Sequence, residues 1–274
     1  HTSSVNEIAE AMDMPPSTAA MHIKVLERAG LIDSDLRPAS RGLQKVCARL
    51  YDQIVIGLPG GKLPGDTTIA VSMPVGNYVD CQVAPTCGLL TEFGVIGQLD
   101  NPVAFYEPDR VHAQLLWFRH GYVEYRFPNR LPAHAVPESV QVSLELCSEA
   151  LLLNNDWPSD ITMWINGQEV GTWTSPADFG GQRGALTPDW WETWNTQYGI
   201  LKTWEVRKNG SYIDGEQVAP VTLDDLALAQ QPYVTVRIGV KDAARHQGGV
   251  NIFGRKFGNH PQDIVLRLVY TLAS

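Results

Sequence analysis

The chain has 274 residues, of which 44% are hydrophobic and 19% charged, and its formal net charge is −9. This length accommodates a large core and one or two domains. No run of about 18 apolar residues occurs, which argues against a membrane-spanning helix. A secretory signal is not expected, because residues 5–12 are amphipathic. The four cysteines form no C-x-x-C pair, so we expect free thiols in a cytoplasmic protein.

Charge is divided unevenly along the chain. Residues 1–62 hold seven basic and seven acidic side chains, whereas the remainder holds 14 basic and 23 acidic ones. All eight tryptophans lie at or beyond Trp117. An acidic surface repels phosphate, so contacts with nucleic acid are expected only in the first part. The composition predicts two domains with different functions.

The first elements in chain order are two short helices. Apolar residues at three- and four-residue spacing predict a helix over residues 5–12, which the prolines at 15 and 16 end. A second helix is predicted from Pro16, with Ala19, Ile23 and Leu26 as its buried stripe and Gly30 as its C-terminal cap. Two short helices joined by a tight turn predict a helix-turn-helix, in which the second helix contacts DNA bases.

Two strands are predicted after these helices, over residues 31–33 and 44–51, and the loop between them is basic. A helix-turn-helix followed by a basic hairpin is a winged helix, whose hairpin cations reach the DNA backbone or minor groove. The candidate DNA contacts lie on the second helix and in this wing: Ser17, Thr18, Met21, His22, Lys24, Arg28, Arg37, Arg41 and Lys45.

The segment VNEIAEAMDMPPSTAAMHIKVLERAGLID, with RGLQKVCARLYDQI after it, resembles the winged-helix domain of ArsR-type bacterial transcription regulators. The spacing of His22–Ile23, Leu26 and Ala29–Gly30–Leu31 carries the resemblance. It implies a homodimeric regulator that binds double-stranded operator DNA. The first helix has no cysteine, so metal sensing there is not expected, and the helices that precede it in the family are absent. The alternative is a helical pair that serves only as a protein contact.

A Gly- and Pro-rich stretch, GLPGGKLPGD, occupies residues 57–66. Such a segment sustains neither a helix nor a central strand. The predicted organisation is a partial winged helix-turn-helix over residues 1–56, a linker over 57–66 and an effector-binding domain over 67–274. The fold class is therefore a multidomain chain that contains both α and β domains.

Short apolar or alternating runs dominate the remainder, and many short strands favour an antiparallel β-sandwich or jelly roll. The predicted strands span residues 68–73, 113–118, 122–127, 140–146, 161–165, 234–240 and 264–272. Asn166–Gly167 predicts a type I′ hairpin turn, and Asn209–Gly210 predicts another. Residues 222–229 are the one predicted helix. The stretch ITMWINGQEVGTW is similar in style to carbohydrate-binding modules.

The segment TPDWWETWNTQYGILK, residues 187–202, combines aromatic rings with amides and fits neither a helix nor a strand. Sugar rings stack on aromatic planes, and their hydroxyls need amide or carboxylate partners. A second loop is predicted over residues 248–263. We therefore expect a small effector, most simply a neutral sugar, at Trp190, Trp191, Asn195, Gln197, Tyr198, Asn251 and Phe253. The alternative is that these rings cap the core.

Catalysis is not expected. The chain lacks the common nucleophile, phosphate-loop, zinc-protease and dinucleotide motifs, and no pair of acids is marked as catalytic. The histidines have no ligand spacing, so neither a metal nor a cofactor is predicted. Two alternatives to a ligand sensor remain: a β domain that only holds a dimer together, and a glycoside-processing enzyme.

Overall fold

The computed structural model describes residues 2–39, 42–50 and 67–272. The chain divides into two compact units, His1–Gly61 and Lys62–Ser274. The predicted linker over residues 57–66 and the predicted wing residue Arg41 lie outside the described residues, so both stay predictions. Within the described part, no helix is long and apolar enough to cross a membrane.

The first unit contains two helices and a three-stranded antiparallel sheet, ordered β1-β3-β2. Its elements are β1 (Thr2–Ser4), α1 (Val5–Ala11), α2 (Pro16–Arg28), β2 (Ile32–Ala39) and β3 (Gly42–Arg49). A capping box starts α1: the Glu7 backbone N–H donates to the Ser4 hydroxyl (3.3 Å), and the Ser4 backbone N–H donates to the Glu7 carboxylate (2.7 Å). Both helices of the predicted helix-turn-helix are present.

The end of α2 is closed by a glycine, as predicted. Gly30 adopts a φ of +69°, and the backbone N–H of Leu31 donates to the carbonyl oxygen of Leu26 (3.0 Å). This is the hydrogen bond of a Schellman motif. The predicted buried stripe is confirmed for Ala19 and Ile23, but Leu26 is 39% exposed. The stripe is therefore shorter than predicted.

The β2–β3 hairpin is longer than the sequence indicated. Each strand has eight residues, and Arg37 pairs with Gln44. Arg37 and Pro38 therefore belong to a strand and not to the loop in which we predicted them. Pro38 is tolerated because β2 pairs only with β3 and lies at the sheet edge, where a missing backbone N–H costs no ladder hydrogen bond.

The second unit is built on one antiparallel sheet of 13 strands. The strands are β4 (Thr67–Met73), β5 (Asp80–Leu90), β6 (Val95–Ile96), β7 (Leu115–Pro128), β8 (Ala135–Cys147), β9 (Ser159–Ile165), β10 (Gln168–Ser175), β11 (Ile200–Arg207), β12 (Gly210–Ile213), β13 (Glu216–Ala219), β14 (Tyr233–Val240), β15 (Val250–Phe253) and β16 (Ile264–Leu272). All the strand pairings in this sheet are antiparallel.

The pairing order folds this sheet into two groups of strands joined by β15. One group runs β10-β9-β14-β7-β5-β6, and the other runs β4-β16-β8-β11-β12-β13. Strand β15 pairs with the start of β7 and the end of β8, and so connects the two groups. A single core cluster takes residues from both groups, for example Ile238 and Val142. This arrangement is consistent with the predicted β-sandwich.

Trp204 is the largest fully buried side chain in this core. It stands on β11, and its indole N–H donates to the carbonyl oxygen of Gly171 on β10 (3.2 Å). The hydrogen bond satisfies the only polar group of the ring and ties one strand group to the other. All four cysteines of the chain are free and buried, as predicted.

The hairpin turns follow the prediction in one case and depart from it in another. Asn166 and Gly167 have positive φ angles of 48° and 81°, as a type I′ turn requires. In the β11–β12 hairpin, Arg207 pairs with Gly210, so the turn is Lys208–Asn209 and lies one residue before the predicted Asn209–Gly210. Asp214 and Gly215, both with positive φ angles, form the next turn, between β12 and β13.

Three further predictions about secondary structure need correction: a helix and a loop were wrong, and two predicted strands are joined into one. The helix expected over 222–229 is instead two short 3₁₀ turns, Asp224–Leu226 and Leu228–Gln230, separated by Ala227 at a φ of +47°. The runs 113–118 and 122–127 form one continuous strand, β7. The loop expected over 248–263 begins with strand β15, which lies between two other strands and is completely buried.

Candidate functional site

The candidate DNA contacts of α2 share one side of the helix. Positions 17, 21, 24 and 28 are spaced by four, three and four residues, which aligns them along one face. The exposed members are Ser17, Met21, His22, Lys24 and Arg28, and Thr18 is half-buried. The structure therefore brings the predicted helix residues together and leaves most of them accessible.

The candidate cations of the hairpin differ from one another. Arg37 is exposed on β2. Lys45 is half-buried, and its ammonium group donates to the Glu27 carboxylate of α2 at 2.7 Å. Hydrogen bonds from Lys45 and then Ser34 lower the pKa of Glu27. Lys45 thus connects β3 to α2, a role that the sequence did not indicate.

A cleft in the second unit carries the predicted aromatic and amide chemistry. It has a volume of about 130 Å³ and lies where β5, β7, β15 and the loop over residues 176–199 meet. Its polar and aromatic lining comprises Thr86, Asp100, Trp117, Glu149, Trp191, Asn195, Thr196 and Asn251. We call it the aromatic cleft.

Two tryptophans form the aromatic wall of this cleft. The ring centroids of Trp117 on β7 and Trp191 in the loop are 6.2 Å apart, with an interplanar angle of 43°. The indole N–H of Trp191 donates to the carbonyl oxygen of Thr196 (2.8 Å), which fixes the ring within its own segment. A fixed pair of rings offers a preformed surface for stacking, so little ordering entropy is lost on binding.

A hydrogen-bonded chain of three polar side chains supports the floor of the cleft. The Asn251 amide donates to the Ser148 carbonyl oxygen (2.7 Å) and to the Thr196 hydroxyl (3.3 Å). That hydroxyl donates in turn to the carboxylate of Asp178 (2.9 Å). Burial raises the pKa of Asp178 to about 6, against the lowering effect of its hydrogen bonds from Ala150 and Thr196. Asn251 is therefore held in one orientation, with its amide donors already used.

Glu149 lies in the same cleft, directly after β8, and is 7% exposed. The Thr86 hydroxyl donates to one of its carboxylate oxygens at 2.5 Å. Burial raises the pKa of Glu149 to about 7, and the negative charges of Asp178 and Asp100 act in the same direction. The cleft thus contains a carboxyl group that titrates near neutrality.

A second depression of about 240 Å³ continues from the aromatic cleft and shares Thr86 and Glu149 with it. It adds Trp157, whose indole N–H donates to the Glu149 carbonyl oxygen (2.8 Å), and the exposed Arg119. The two depressions form a groove with Glu149 at the junction.

Glu145 anchors the loops that surround the cleft. It is completely buried on β8, and its carboxylate accepts backbone hydrogen bonds from Gly199, Asn259 and His260, each at 2.8 Å. Burial raises its pKa to about 7, although these hydrogen bonds favour the charged form. The carboxylate fixes the end of the 176–199 loop and the loop after β15 to one strand.

The structure brings together only part of the predicted effector site. Trp191, Asn195 and Asn251 line the aromatic cleft, so these three belong to one site. The other four predicted residues, Trp190, Gln197, Tyr198 and Phe253, do not line it. The predicted pocket is corrected accordingly.

Each excluded residue has a structural role elsewhere. The Trp190 indole donates to the Glu92 carbonyl oxygen at 2.8 Å, and Gln197 is buried with its amide bonded inside the loop. Tyr198 stacks on Phe179 with ring centroids 5.5 Å apart. Phe253 is buried in a small apolar cluster at the base of the cleft. The alternative that these rings cap a core applies to Phe253 and also to Trp191, which packs against the same cluster.

Sequence analysis missed five of the polar and aromatic lining residues: Thr86, Asp100, Trp117, Glu149 and Thr196. Glu149 offered one signal, because it is an acid placed immediately after a long apolar strand. Trp117 lies inside an apolar run that predicts a core strand, so its position at a site was hidden. Among the described residues, no group of three or more His, Cys, Asp or Glu side chains is placed to hold a metal ion.

Comparisons with known proteins identify the N-terminal region. Residues 2–35 match the model of a helix-turn-helix domain. No curated protein matches the chain. One solved structure that matches is the carbohydrate-binding module CBM36 in complex with calcium and xylotriose, with 8% identity and a TM-score of 0.29, over 74% of this chain and 98% of that one.

A second solved structure is the Agl-KA catalytic domain, with 8% identity and a TM-score of 0.26. That match covers 77% of this chain and 27% of the other. Both similarities are low, and the antiparallel β architecture of the second unit rests on its own strand pairings. The chain therefore combines a DNA-binding type of helix-turn-helix domain with a large antiparallel β domain.

Proposed function

We propose that this protein is a bacterial transcription regulator whose β domain binds a small carbohydrate effector and thereby modulates binding to operator DNA. The observation that carries the proposal is the aromatic cleft, with Trp117 and Trp191 beside Asn195 and Asn251, in the same chain as a helix-turn-helix domain. Such a pairing suits a sensor joined to a DNA-binding unit. Function at operator DNA implies a cytoplasmic location.

In this proposal the first unit is an ArsR-type winged helix-turn-helix. Helix α2 enters the major groove, where Ser17, Thr18 and Met21 contact base edges. The β2–β3 hairpin acts as the wing, and Arg28 and Arg37 contact phosphates. One short helix recognises few base pairs, so a homodimer that binds two half-sites supplies the specificity.

The effector occupies the aromatic cleft. A pyranose ring stacks on Trp191, because the C–H face of the ring is apolar, and its hydroxyls bond to Asn195 and Asn251. A ligand changes operator affinity only when it binds the DNA-competent and DNA-incompetent states with different affinities. Bound effector therefore shifts the affinity for operator DNA. Bound operator DNA shifts the affinity for the effector by the same factor.

Two measurements test this proposal together. Intrinsic tryptophan fluorescence during titration with a panel of mono- and oligosaccharides detects ligands next to Trp117 and Trp191. Selection from random double-stranded DNA then identifies the operator. The proposal requires a saccharide that changes the fluorescence and a DNA sequence bound more tightly than random DNA. A chain that binds neither is not such a regulator.

One observation favours a second candidate, a glycoside-processing enzyme. Glu149 and Asp178 are buried carboxyl groups with raised pKa values in or beside one cleft, and groups of this kind also serve as general acids. We favour the sensor because the backbone N–H of Ala150 and the hydroxyl of Thr196 already donate to the Asp178 carboxylate, which gives it a structural role. Chromogenic glycosides distinguish the two: turnover that Glu149→Gln abolishes would establish the enzyme.

A further inference from the structure

The aromatic cleft is lined by acids without a compensating base. Asp100 and Glu149 are among its lining residues, and no Lys, Arg or His of the described chain is. Asp178 lies directly behind the wall, where its carboxylate holds the Ala150 backbone N–H (3.0 Å) and the Thr196 hydroxyl. The negative charges of Asp178 and Asp100 both act on Glu149. The cleft is therefore electronegative, inside a domain that is itself acidic.

Two of these carboxyl groups, Glu149 and Asp178, use only one of their two oxygens as a hydrogen-bond acceptor within the described residues. Among the described residues, only the Thr86 hydroxyl donates a hydrogen bond to the 7% exposed Glu149, at Oε2. The Oδ1 atom of Asp178 is completely buried and accepts no hydrogen bond. Buried carboxylate oxygens are normally paired, because leaving one unpaired costs free energy. Glu149 thus presents an unused acceptor to the cleft.

The nearest positive charge does not supply the missing partner. Arg119 lines the adjoining depression and not the aromatic cleft, and it is exposed. Its effect on the pKa of Glu149 is the smallest of the five causes, after burial, Thr86, Asp178 and Asp100. A donor for the free Glu149 oxygen must therefore come from solvent or from a ligand.

The two tryptophans add a feature that an acidic cluster alone would not have. Trp117 and Trp191 both line the cleft and contact each other, with their ring centroids 6.2 Å apart. The faces of indole rings attract cations, and the attraction increases when the cation is removed from water. Rings and carboxylates in one small cleft are the combination that binds an ammonium group, whereas a neutral polyol does not need the negative charge.

We propose that the effector of the aromatic cleft is an amino sugar, whose protonated amine pairs with Glu149 while its ring stacks on Trp191. This inference rests on the proposed function. It narrows the ligand class from small carbohydrates in general to saccharides that carry a positive charge. Asn251 and Asn195 bond to the hydroxyls, and the ammonium group donates to Glu149. The ligand thereby supplies the donor that the cleft lacks.

Three β-1,4-linked trisaccharides test the charge while the backbone of the sugar stays the same. The trimer of glucosamine carries ammonium groups at C2, the trimer of N-acetylglucosamine carries amides, and cellotriose carries hydroxyls. Calorimetry with the full chain should show the glucosamine trimer binding about tenfold or more tighter than cellotriose, because a charge-assisted bond adds to the stacking. Raising the salt concentration should weaken binding of the glucosamine trimer and leave binding of the two uncharged trimers unchanged.

The matched variants are Glu149→Gln, which removes the charge at nearly constant shape, and Glu138→Gln on the exposed Glu138–Lys208 pair. Glu149→Gln should reduce affinity for the glucosamine trimer by about tenfold to a hundredfold and leave cellotriose within about threefold. Glu138→Gln should change neither. Should Glu149→Gln fail to fold, the wild-type ligand comparison and its salt dependence decide alone.

The outcomes separate the two proposals. Equal or tighter binding of cellotriose, with no salt dependence for the amine, overturns the cationic ligand and leaves a neutral-sugar sensor standing. Binding of the glucosamine trimer that Glu149→Gln does not affect places the amine elsewhere and overturns the assignment. If none of the three ligands nor the wider saccharide panel binds, the sensor function itself is wrong.

Discussion

The two units differ in how many of their side chains are buried. In the first unit, the described side chains that are fully buried are only Ser4, Ala9, Ala19, Ile23 and Cys47, and α2 leaves even Met21 and Val25 exposed. In the second unit, one apolar cluster extends through both strand groups. The first part of the chain is also balanced in charge, whereas the remainder is strongly acidic.

This difference determines how well the candidate site residues of each unit can be predicted from the sequence. In the first unit, the candidate contacts occupy one face of a single helix, so the sequence of that helix reveals them. In the second unit, the candidate site combines residues far apart in sequence, such as Thr86, Glu149 and Asn251. The candidate contacts of the small unit lie on its surface, while the candidate site of the large β unit lies at the edge of a core.

The largest expected effect concerns the free energy of unfolding of the β unit, which we expect to depend on its own apolar core. Trp204→Ala should lower the free energy of unfolding of that unit by about 3–5 kcal/mol, because it removes a fully buried ring and its hydrogen bond to Gly171. Urea titration monitored by tryptophan fluorescence measures this, since all eight tryptophans lie in the β unit. A loss below about 1 kcal/mol would contradict the packing described.

The next effect tests the aromatic cleft without disturbing the core. Trp191→Ala and Asn251→Ala should each weaken binding of the saccharide found in the fluorescence panel by about tenfold to a hundredfold, or 1–3 kcal/mol. Trp194→Ala is the matched control, since Trp194 lies on the same loop, is 56% exposed and does not line the cleft. Equal losses in all three variants, measured by calorimetry, would point to the fold of the loop and not to a site.

A third prediction concerns pH. Burial raises the pKa of Glu149 to about 7 from an ordinary 4.5, and the pKa of Glu145 likewise to about 7. Between the ordinary and the raised values, the folded state holds more protons than the unfolded state. The contribution of each group is therefore fully present below about pH 4.5 and is lost as the pH rises through about 7.

The measurement is the difference between wild type and Glu149→Gln, because other carboxyl groups with lowered pKa values act in the opposite direction. Between pH 4.5 and 7.5, the free energy of unfolding of wild type should decline relative to the variant by about 1–3 kcal/mol. Parallel curves for the two proteins would show that Glu149 does not titrate in this range.

The smallest effect distinguishes the two cations of the hairpin. Arg37→Ala should reduce the salt slope of DNA binding by about one unit and weaken binding to all sequences alike. Lys45→Ala should change the slope less, because Lys45 is already paired with Glu27. Fluorescence anisotropy at several salt concentrations measures both slopes. A larger change in slope for Lys45→Ala than for Arg37→Ala would show that Lys45, and not Arg37, contacts the DNA backbone.

Local patterns were predicted well because their causes are local. Both helices and the strand over 264–272 follow from residue spacing, and the Asn166–Gly167 turn follows from backbone preference. Strand β5 was missed because Pro85 and Gly88 within it indicate a turn, and β15 because Gly248 and Gly249 precede it. The strand pairings override these local preferences, since each segment is enclosed by partners distant in sequence.

The candidate site was only partly predictable for the same reason. Trp191, Asn195 and Asn251 were found because aromatic rings and amides are concentrated in their segments. Glu149 and Trp117 enter the site through the pairing of β7, β8 and β15, which no pattern of neighbouring residues encodes. Composition predicted which residue types line the cleft, and tertiary pairing determines which of them meet there.

A ligand-controlled regulator requires that the β unit and the DNA-binding unit are coupled through the ligand. The direct measurement is the affinity of the full chain for its selected operator, by fluorescence anisotropy, with and without a saturating concentration of the saccharide identified by tryptophan fluorescence. We expect the dissociation constant to change by at least about fivefold. Trp191→Ala should abolish this change and retain ligand-free DNA binding. The same operator affinity with and without the bound saccharide would contradict this coupling.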